Sequence, residues 1–382
     1  MKKILITAIL VNTLILLTLS NIAKAHHKSQ SHKFNGVSFS APGSKDYQKL
    51  ETELVENDTT TLADKQLKNN EKTGLISYIV YEDGKIKVNK KNWTQEVEKN
   101  NGLLRSNSVG KSLISYVTGH AVCEYGINLN TKLNDWVVIN DTVYEDNNLL
   151  QVLNMTSGDH RMIGEYKFKS DGYVKDDKSK HINSKTVAYS MQWFKGTSKK
   201  KENAPYNYSA MSTHVAINYV IHKVGYDNYE KLLEQIFTDH VGVKNDVHFN
   251  KVSWSKADAD YGVSRYTFFA TAEDYLRIAN TIIKDFNSDT CIGDYLRMLL
   301  DNRVKKSEKM EAKAVAQYTK EYGGQFHLTV KGLEDKTIFA MDGAGGQQVI
   351  MNMETGQVIV VNTDDQHYNW KKLVYNVMKK GL

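Results

Sequence analysis

Hydrophobic and polar positions alternate in two distinct periods along this chain. From Leu75 the run Leu-Ile-Ser-Tyr-Ile-Val-Tyr, an Asp83-Gly84 turn and Ile86-Lys87-Val88 predict a β-hairpin. After Ser108 the period changes: Leu113, Ile114, Val117, Ala121 and Val122 are spaced three and four apart, predicting a helix. Residues from about 128 to 320 read as mainly helical or irregular, with helices over Val215–Val224, Tyr229–Phe237, Ala272–Ile283 and Gly293–Leu300. Strand periodicity returns over Gln325–Lys331, Lys336–Met341, Gln347–Met353 and Gln357–Thr363, and Trp370–Met378 reads as an amphipathic helix. Strands at both ends with helices between them predict an α+β fold. One antiparallel sheet forms from the two termini, flanked by helices, with a helical lobe inserted.

The first 25 residues have a different character. Lys2 and Lys3 precede an apolar stretch from Ile4 to Leu19, and Ala23-Lys24-Ala25 supplies small residues at a cleavage site. This is the layout of a secretory signal peptide, and the stretch is short for a membrane span. The expectation is an exported, periplasmic or secreted protein without a stable membrane anchor. Residues 26–70 are polar, and His26, His27 and His32 lack partners at metal-ligand spacing, so they read as part of a mobile tail. The main domain is expected over 71–382.

Composition narrows the function classes. The 382 residues are 41% hydrophobic and 25% charged, with only 2 Pro, which excludes fibrous and wholly disordered chains. The formal net charge of +6 falls to +3 when Lys2, Lys3 and Lys24 are removed with the leader. That is no nucleic-acid footprint, and Lys199-Lys200-Lys201 reads as a solvated loop. An oxidising compartment would permit a bridge between the two cysteines, Cys123 and Cys291. Cys123 nevertheless sits in an apolar helical pattern and reads as a small buried hydrophobe.

Four chemistries compete around Arg105-Ser-Asn-Ser-Val-Gly-Lys-Ser112. A phosphate-binding loop needs Gly where Arg105 stands. A nucleophile elbow needs G-x-S-x-G, which the chain lacks, and H-E-x-x-H is absent too, with the 12 histidines scattered. The fourth is a serine acylase built on S-x-x-K. Serine in a first helical turn and Lys three residues on share a face, and a desolvated Lys would have its pKa lowered and act as base. The motif occurs at Ser108–Lys111, Ser198–Lys201 and Ser253–Lys256, and only the first opens an apolar helix.

Ser106 to Ser115, with Gly119 and Glu124-Tyr-Gly-Ile127, resembles the nucleophile helix of β-lactamase-related serine hydrolases. This superfamily includes class C β-lactamases, D-Ala-D-Ala peptidases, family VIII esterases and aminohexanoate-dimer hydrolases. Leu149 to Gly158, Tyr206 to Thr213, Phe268 to Asp274 and Gly343 to Gln347 are similar to its further motifs, in family order. The resemblance implies Ser108 as acylated nucleophile, Lys111 as its base partner and Tyr208 as proton shuttle. It implies Gly345, Gly346 and Gln347 as the substrate strand, with the Gln347 N–H joining that of Ser108 in an oxyanion hole. Two positions depart from the family pattern: Ala344 stands where Lys or His heads the third motif, and Ala210 where Asn commonly follows the Tyr. The expected activity is cleavage of a small amide or ester through an acyl-enzyme, with no cofactor and no metal. The alternatives are a true β-lactamase or peptidoglycan D-peptidase, and a non-catalytic envelope-binding protein on the same fold.

Overall fold

The computed structural model describes residues 32–34, 36, 38–159, 187, 191, 195, 204–251, 264–306 and 315–382. Residues 1–25, expected from the sequence to be a signal peptide, His26, His27 and the motifs Ser198–Lys201 and Ser253–Lys256 lie outside the described residues. No described helix is long and apolar enough to cross a membrane.

The hairpin pairs β2 (Leu75–Glu82) with β3 (Lys85–Lys91), and Asp83 and Gly84 both take positive φ in the turn. That conformation matches the right-handed twist of the flanking strands. Four C-terminal strands follow as β9 (Phe326–Val330), β10 (Ile338–Gly343), β11 (Gln347–Asn352) and β12 (Val358–Thr363). The shorter β7 (Val304–Lys305) and β8 (Thr319–Gly323) complete an eight-stranded antiparallel sheet in the order β3-β2-β12-β11-β10-β9-β8-β7. The N-terminal hairpin therefore joins the C-terminal strands through β2 and β12, with Val80 opposite Ile359 and Tyr78 opposite Val361.

Both faces of this sheet are covered, which explains the near-continuous apolar runs of its central strands. Val358 and Val360 of β12 enter one core; Ile359 and Val361 enter the other. The larger core lies against α2 (Val109–Tyr125), α4 (Ala210–Val224) and α6 (Ala272–Phe286). The smaller one is closed by α1 (Asp58–Lys68), a π-helical turn over Lys371–Tyr375 and α8 (Asn376–Lys380). Between them in the chain lie α3 (Leu149–Leu153), α5 (Tyr226–Leu233) and α7 (Cys291–Asp301).

Three features differ from the sequence expectations. Cys123 and Cys291 form a disulfide, although helical periodicity had made Cys123 a core residue. Its position late in α2, beside the start of α7, places it against its partner while apolar neighbours still surround it. His32 is buried rather than part of a mobile tail: its Nδ1 accepts from the Arg105 N–H, and its Nε2 lies 3.2 Å from the Asp364 carboxylate. Finally, the segment read as helical or irregular contributes β5 (Val247–Lys251) and β6 (Ser264–Ala270). They join β1 (Ser38–Ala41) and β4 (Leu104–Arg105) in a second sheet ordered β1-β5-β6-β4. This small sheet carries the chain into the turn before Ser108.

Candidate active site

The turn before α2 is pinned from two sides. The Ser106 N–H donates to the Phe268 carbonyl at 2.7 Å, and the Phe268 N–H donates to Ser106 Oγ at 2.7 Å, locking the turn to β6. Asn107 takes φ of 48°, a left-handed conformation that Asn tolerates better than most residues, and its Nδ2 donates to the Ala344 carbonyl at 2.6 Å. Ser108 then enters the first helical turn, with the Lys111 N–H donating to its carbonyl at 3.0 Å. Serine at a helix N-cap ordinarily spends its hydroxyl on the open amides of the first turn. Ser108 makes no such bond; Lys111 Nζ donates to its Oγ at 2.7 Å instead.

Lys111 is only 2% exposed, so it is not a solvated surface charge. Its ammonium lies 3.7 Å from the ring centroid of Tyr266 and 4.9 Å from that of Tyr208. Burial pushes its pKa down, but the two phenols push it up by more, so Lys111 stands above the ordinary lysine value. This corrects the expectation of a lysine base with lowered pKa: the phenols outweigh the desolvation. The same charge acts on the tyrosines in return. Lys111 pulls the Tyr266 phenol below its usual value, ahead of burial, which opposes it. Tyr208 goes the other way, raised by burial although Lys111 and Ser108 oppose that rise. Two tyrosines thus flank one Ser-Lys pair with their acidities driven apart.

The third motif sits in the turn between β10 and β11. Gly345 and Gly346 take φ of 84° and 94°, and Gln347 opens β11 paired with Gly343. A Cβ on Gly343 would lie 2.5 Å from the Ser106 carbonyl oxygen and 3.2 Å from the Ser108 nitrogen. Only glycine lets this strand end come so close to the Ser106–Ser108 turn. Ala344 is exposed, and the Gln347 side chain is turned to β12, donating to the Thr363 carbonyl. The start of the motif is therefore beside Ser108, while the side-chain amide of Gln347 serves the sheet.

Tyr208 is held by a buried network. Tyr144 and the adjoining Ser209 hydroxyl both donate to Asp159 Oδ2, at 2.5 and 3.1 Å, and Asn207 donates to the Asp159 carbonyl. Its ring also stacks on His327, and Lys306 Nζ approaches His327 Nδ1 at 3.2 Å. Burial, followed by the charges of Lys306 and Lys111, keeps His327 well below the usual histidine value and hence neutral. Beneath the site, Gln325 accepts from Ser112 through its carbonyl and from Thr213 through its side chain, and donates to the Leu153 carbonyl. One residue of the β8–β9 turn thereby ties together α2, α3 and α4.

Ser108, Lys111 and Tyr208 come together as expected, and the strand end that leads into Gly345–Gly346–Gln347 meets the Ser106–Ser108 turn through Gly343 and Ala344. Sequence reasoning missed Tyr266, which lies two residues before the Phe268 to Asp274 motif and in no recognisable pattern of its own. It also missed Gln325, Lys306 and His327, whose proximity depends on strands β7 to β9 curling past the helices.

A Ser-Lys pair opening a buried helix, flanked by tyrosines and faced by a sheet-edge turn, defines the fold class of β-lactamase and transpeptidase enzymes. The chain belongs to the beta-lactamase family, whose profile matches residues 62–376. Among solved structures it is similar to a D-stereospecific amidohydrolase from Streptomyces sp., with 13% identity and a TM-score of 0.57 over 85% of this chain and 99% of that one. It is likewise similar to a family VIII carboxylesterase, with 11% identity and a TM-score of 0.59 over 87% and 99% of the two chains. FmtA from Staphylococcus aureus is similar at 16% identity, with a TM-score of 0.55 over 89% and 94%. Compared by sequence with curated proteins, the chain has no match.

Proposed function

We propose that this chain is an exported serine hydrolase that cleaves a small amide or ester through an acyl-enzyme on Ser108. The observation that carries the reading is the 2.7 Å contact from buried Lys111 Nζ to an Oγ that performs no capping. Lys111 acts as a fixed cation at the hydroxyl, favouring the alkoxide as it forms. Tyr266, the phenol drawn down by Lys111, accepts the Ser108 proton. Ser108 Oγ then bonds to the substrate carbonyl carbon, and the oxyanion faces the backbone amides of Ser108 and Gln347. Tyr208, held protonated by its burial, gives its proton to the departing amine or alcohol. In deacylation the Tyr208 phenolate takes a proton from water, the hydroxide attacks the ester carbonyl, and Tyr266 returns its proton to Ser108 Oγ as the acyl bond breaks, restoring both tyrosines. The β-lactamase-family fold supports hydrolysis, and amidohydrolase and carboxylesterase neighbours support the substrate class.

Ala344 points to an uncharged substrate. A methyl group there offers no charge-assisted hydrogen bond to a β-lactam carboxylate, a contact of about 1.5–3 kcal/mol, or roughly 10- to 100-fold in rate. The test has two parts. Intact-mass analysis with a fluorophosphonate should show one adduct, absent in Ser108→Ala; an adduct persisting there overturns the nucleophile assignment. Next, kcat/KM is compared for a p-nitrophenyl ester and a chromogenic cephalosporin, in wild type and Ala344→Lys. The ester should be the better substrate, with the variant shifted toward the cephalosporin. Faster wild-type cephalosporin turnover would establish the β-lactamase alternative, and complete inertness to every acylating agent a binding protein.

A further inference from the structure

We propose that His120, His240 and Asp285 form a binding site for a divalent transition-metal ion, with zinc as the ion that suits it. His120 lies late in α2, about 18 Å along the helix from Ser108. His240 comes from the π-helical turn Glu234–Val241 that continues α5, and Asp285 from the end of α6. Each offers one ligand atom, and the three atoms lie within 4.8 Å of one another.

The donor set and its setting both favour an ion. Two imidazoles and one carboxylate match zinc and its first-row neighbours; magnesium and calcium would call for oxygen ligands throughout. Asp285 is oriented from behind by Tyr116, whose hydroxyl donates to Oδ2 at 2.5 Å. Such outer hydrogen bonds are what hold a metal-binding carboxylate in place. His240 Nε2 already sits 2.9 and 3.0 Å from the two Asp285 oxygens. The His120 ring packs edge-on against both Tyr116 and His240. Its Nε2 is enclosed by protein without a hydrogen-bond partner, an arrangement proteins avoid unless another species serves the imidazole.

Tetrahedral zinc, with bonds of about 2.0–2.1 Å, needs donors roughly 3.4 Å apart. With the donors already within 4.8 Å, closing onto the ion takes a shift of at most about 1.4 Å, which the 42%-exposed side chain of His240 can make, leaving a fourth position open to water. The Cys123–Cys291 disulfide begins three residues after His120 and ends six after Asp285, so it ties the helix that carries His120 to the helix that follows Asp285. An occupied site would brace the far end of the nucleophile helix without entering the reaction.

The test uses the purified full chain, stripped with chelator and titrated with zinc chloride by calorimetry and with cobalt(II) by visible absorption. One saturable equivalent, tetrahedral cobalt bands and a higher Tm with zinc are expected. His240→Ala keeps the Tyr116–Asp285 bond and should lower zinc affinity at least about tenfold, with ester hydrolysis by the metal-free protein unchanged. His120→Gln should do the same; if it fails to fold, the His240→Ala arm decides. Absence of saturable binding overturns the proposal. Unchanged affinity in His240→Ala also overturns it, by placing the ion on other imidazoles such as His26 and His27 and leaving His240 and Asp285 an ordinary ion pair.

Discussion

Lys111 Nζ stands 3.7 Å from the centroid of the Tyr266 ring, closer than to the tyrosine that the family motif identifies. Against its burial, Lys111 is raised by Tyr208 and then by Tyr266, and Lys111 in turn lowers Tyr266. Their shifts widen the pH range in which a lysine cation and a tyrosine anion coexist. Activity should therefore rise with pH as Tyr266 loses its proton, earlier than an ordinary phenol would, and fall only as Lys111 deprotonates above the ordinary lysine range. A kcat/KM profile of the wild type tests both limbs.

Tyr266→Phe keeps the ring under the Lys111 charge and removes only the hydroxyl. If Tyr266 receives the Ser108 proton, kcat/KM falls by about 100-fold or more and the rising limb moves. Tyr208→Phe should lower turnover most for poor leaving groups, because it removes the donor, and should leave that rising limb in place. An unmoved limb in Tyr266→Phe would take the base role from Tyr266 and return it to Lys111, the base partner that the resemblance implies.

Asn107→Gly preserves the left-handed backbone before Ser108 while deleting the amide that holds Ala344. Loss of one such hydrogen bond should cost about 1 kcal/mol of stability and lower kcat more than it raises KM. Asn107→Ala should be worse on both counts, since it adds strain at φ of 48°. Urea denaturation and steady-state kinetics on the pair separate the two effects.

Gly110→Ala would place a methyl carbon 1.8 Å from the Tyr266 carbonyl oxygen, a backbone atom that cannot swing aside. Either α2 or β6 must shift, and both carry the site. The expected outcome is loss of nearly all activity together with a lowered Tm; near-wild-type kinetics would mean that the β6 contact is loose.

The disulfide spans a sequence separation of 168 residues and links α2 to α7. Cys291→Ser should destabilise the fold by about 2–4 kcal/mol, measured by equilibrium denaturation under non-reducing conditions. Reducing agent should lower the Tm of the wild type toward that of the variant and leave the variant unaffected.

Local pattern determined much of this protein. The β2–β3 hairpin follows from Asp83-Gly84 between β-forming runs, and α2 from apolar residues three and four apart. Ser108 and Lys111 meet because three residues is nearly one helical turn, a relation that any helix would impose. Order along the chain also carried the family resemblance.

Only the tertiary structure decided which groups share an environment. Tyr266 lies 155 residues beyond Lys111, in a strand of the small sheet rather than in α2, so no spacing rule relates them, yet the Lys111 charge lowers the Tyr266 phenol. The same is true of His120, His240 and Asp285, scattered in sequence and gathered where three elements meet. Cys123 satisfied helical periodicity and disulfide geometry at once, and only the approach of α7 distinguished them. Periodicity reports which face of an element is apolar. The pKa of a buried group depends on charges and desolvation from whatever packs against that face, and this is fixed when distant elements close together.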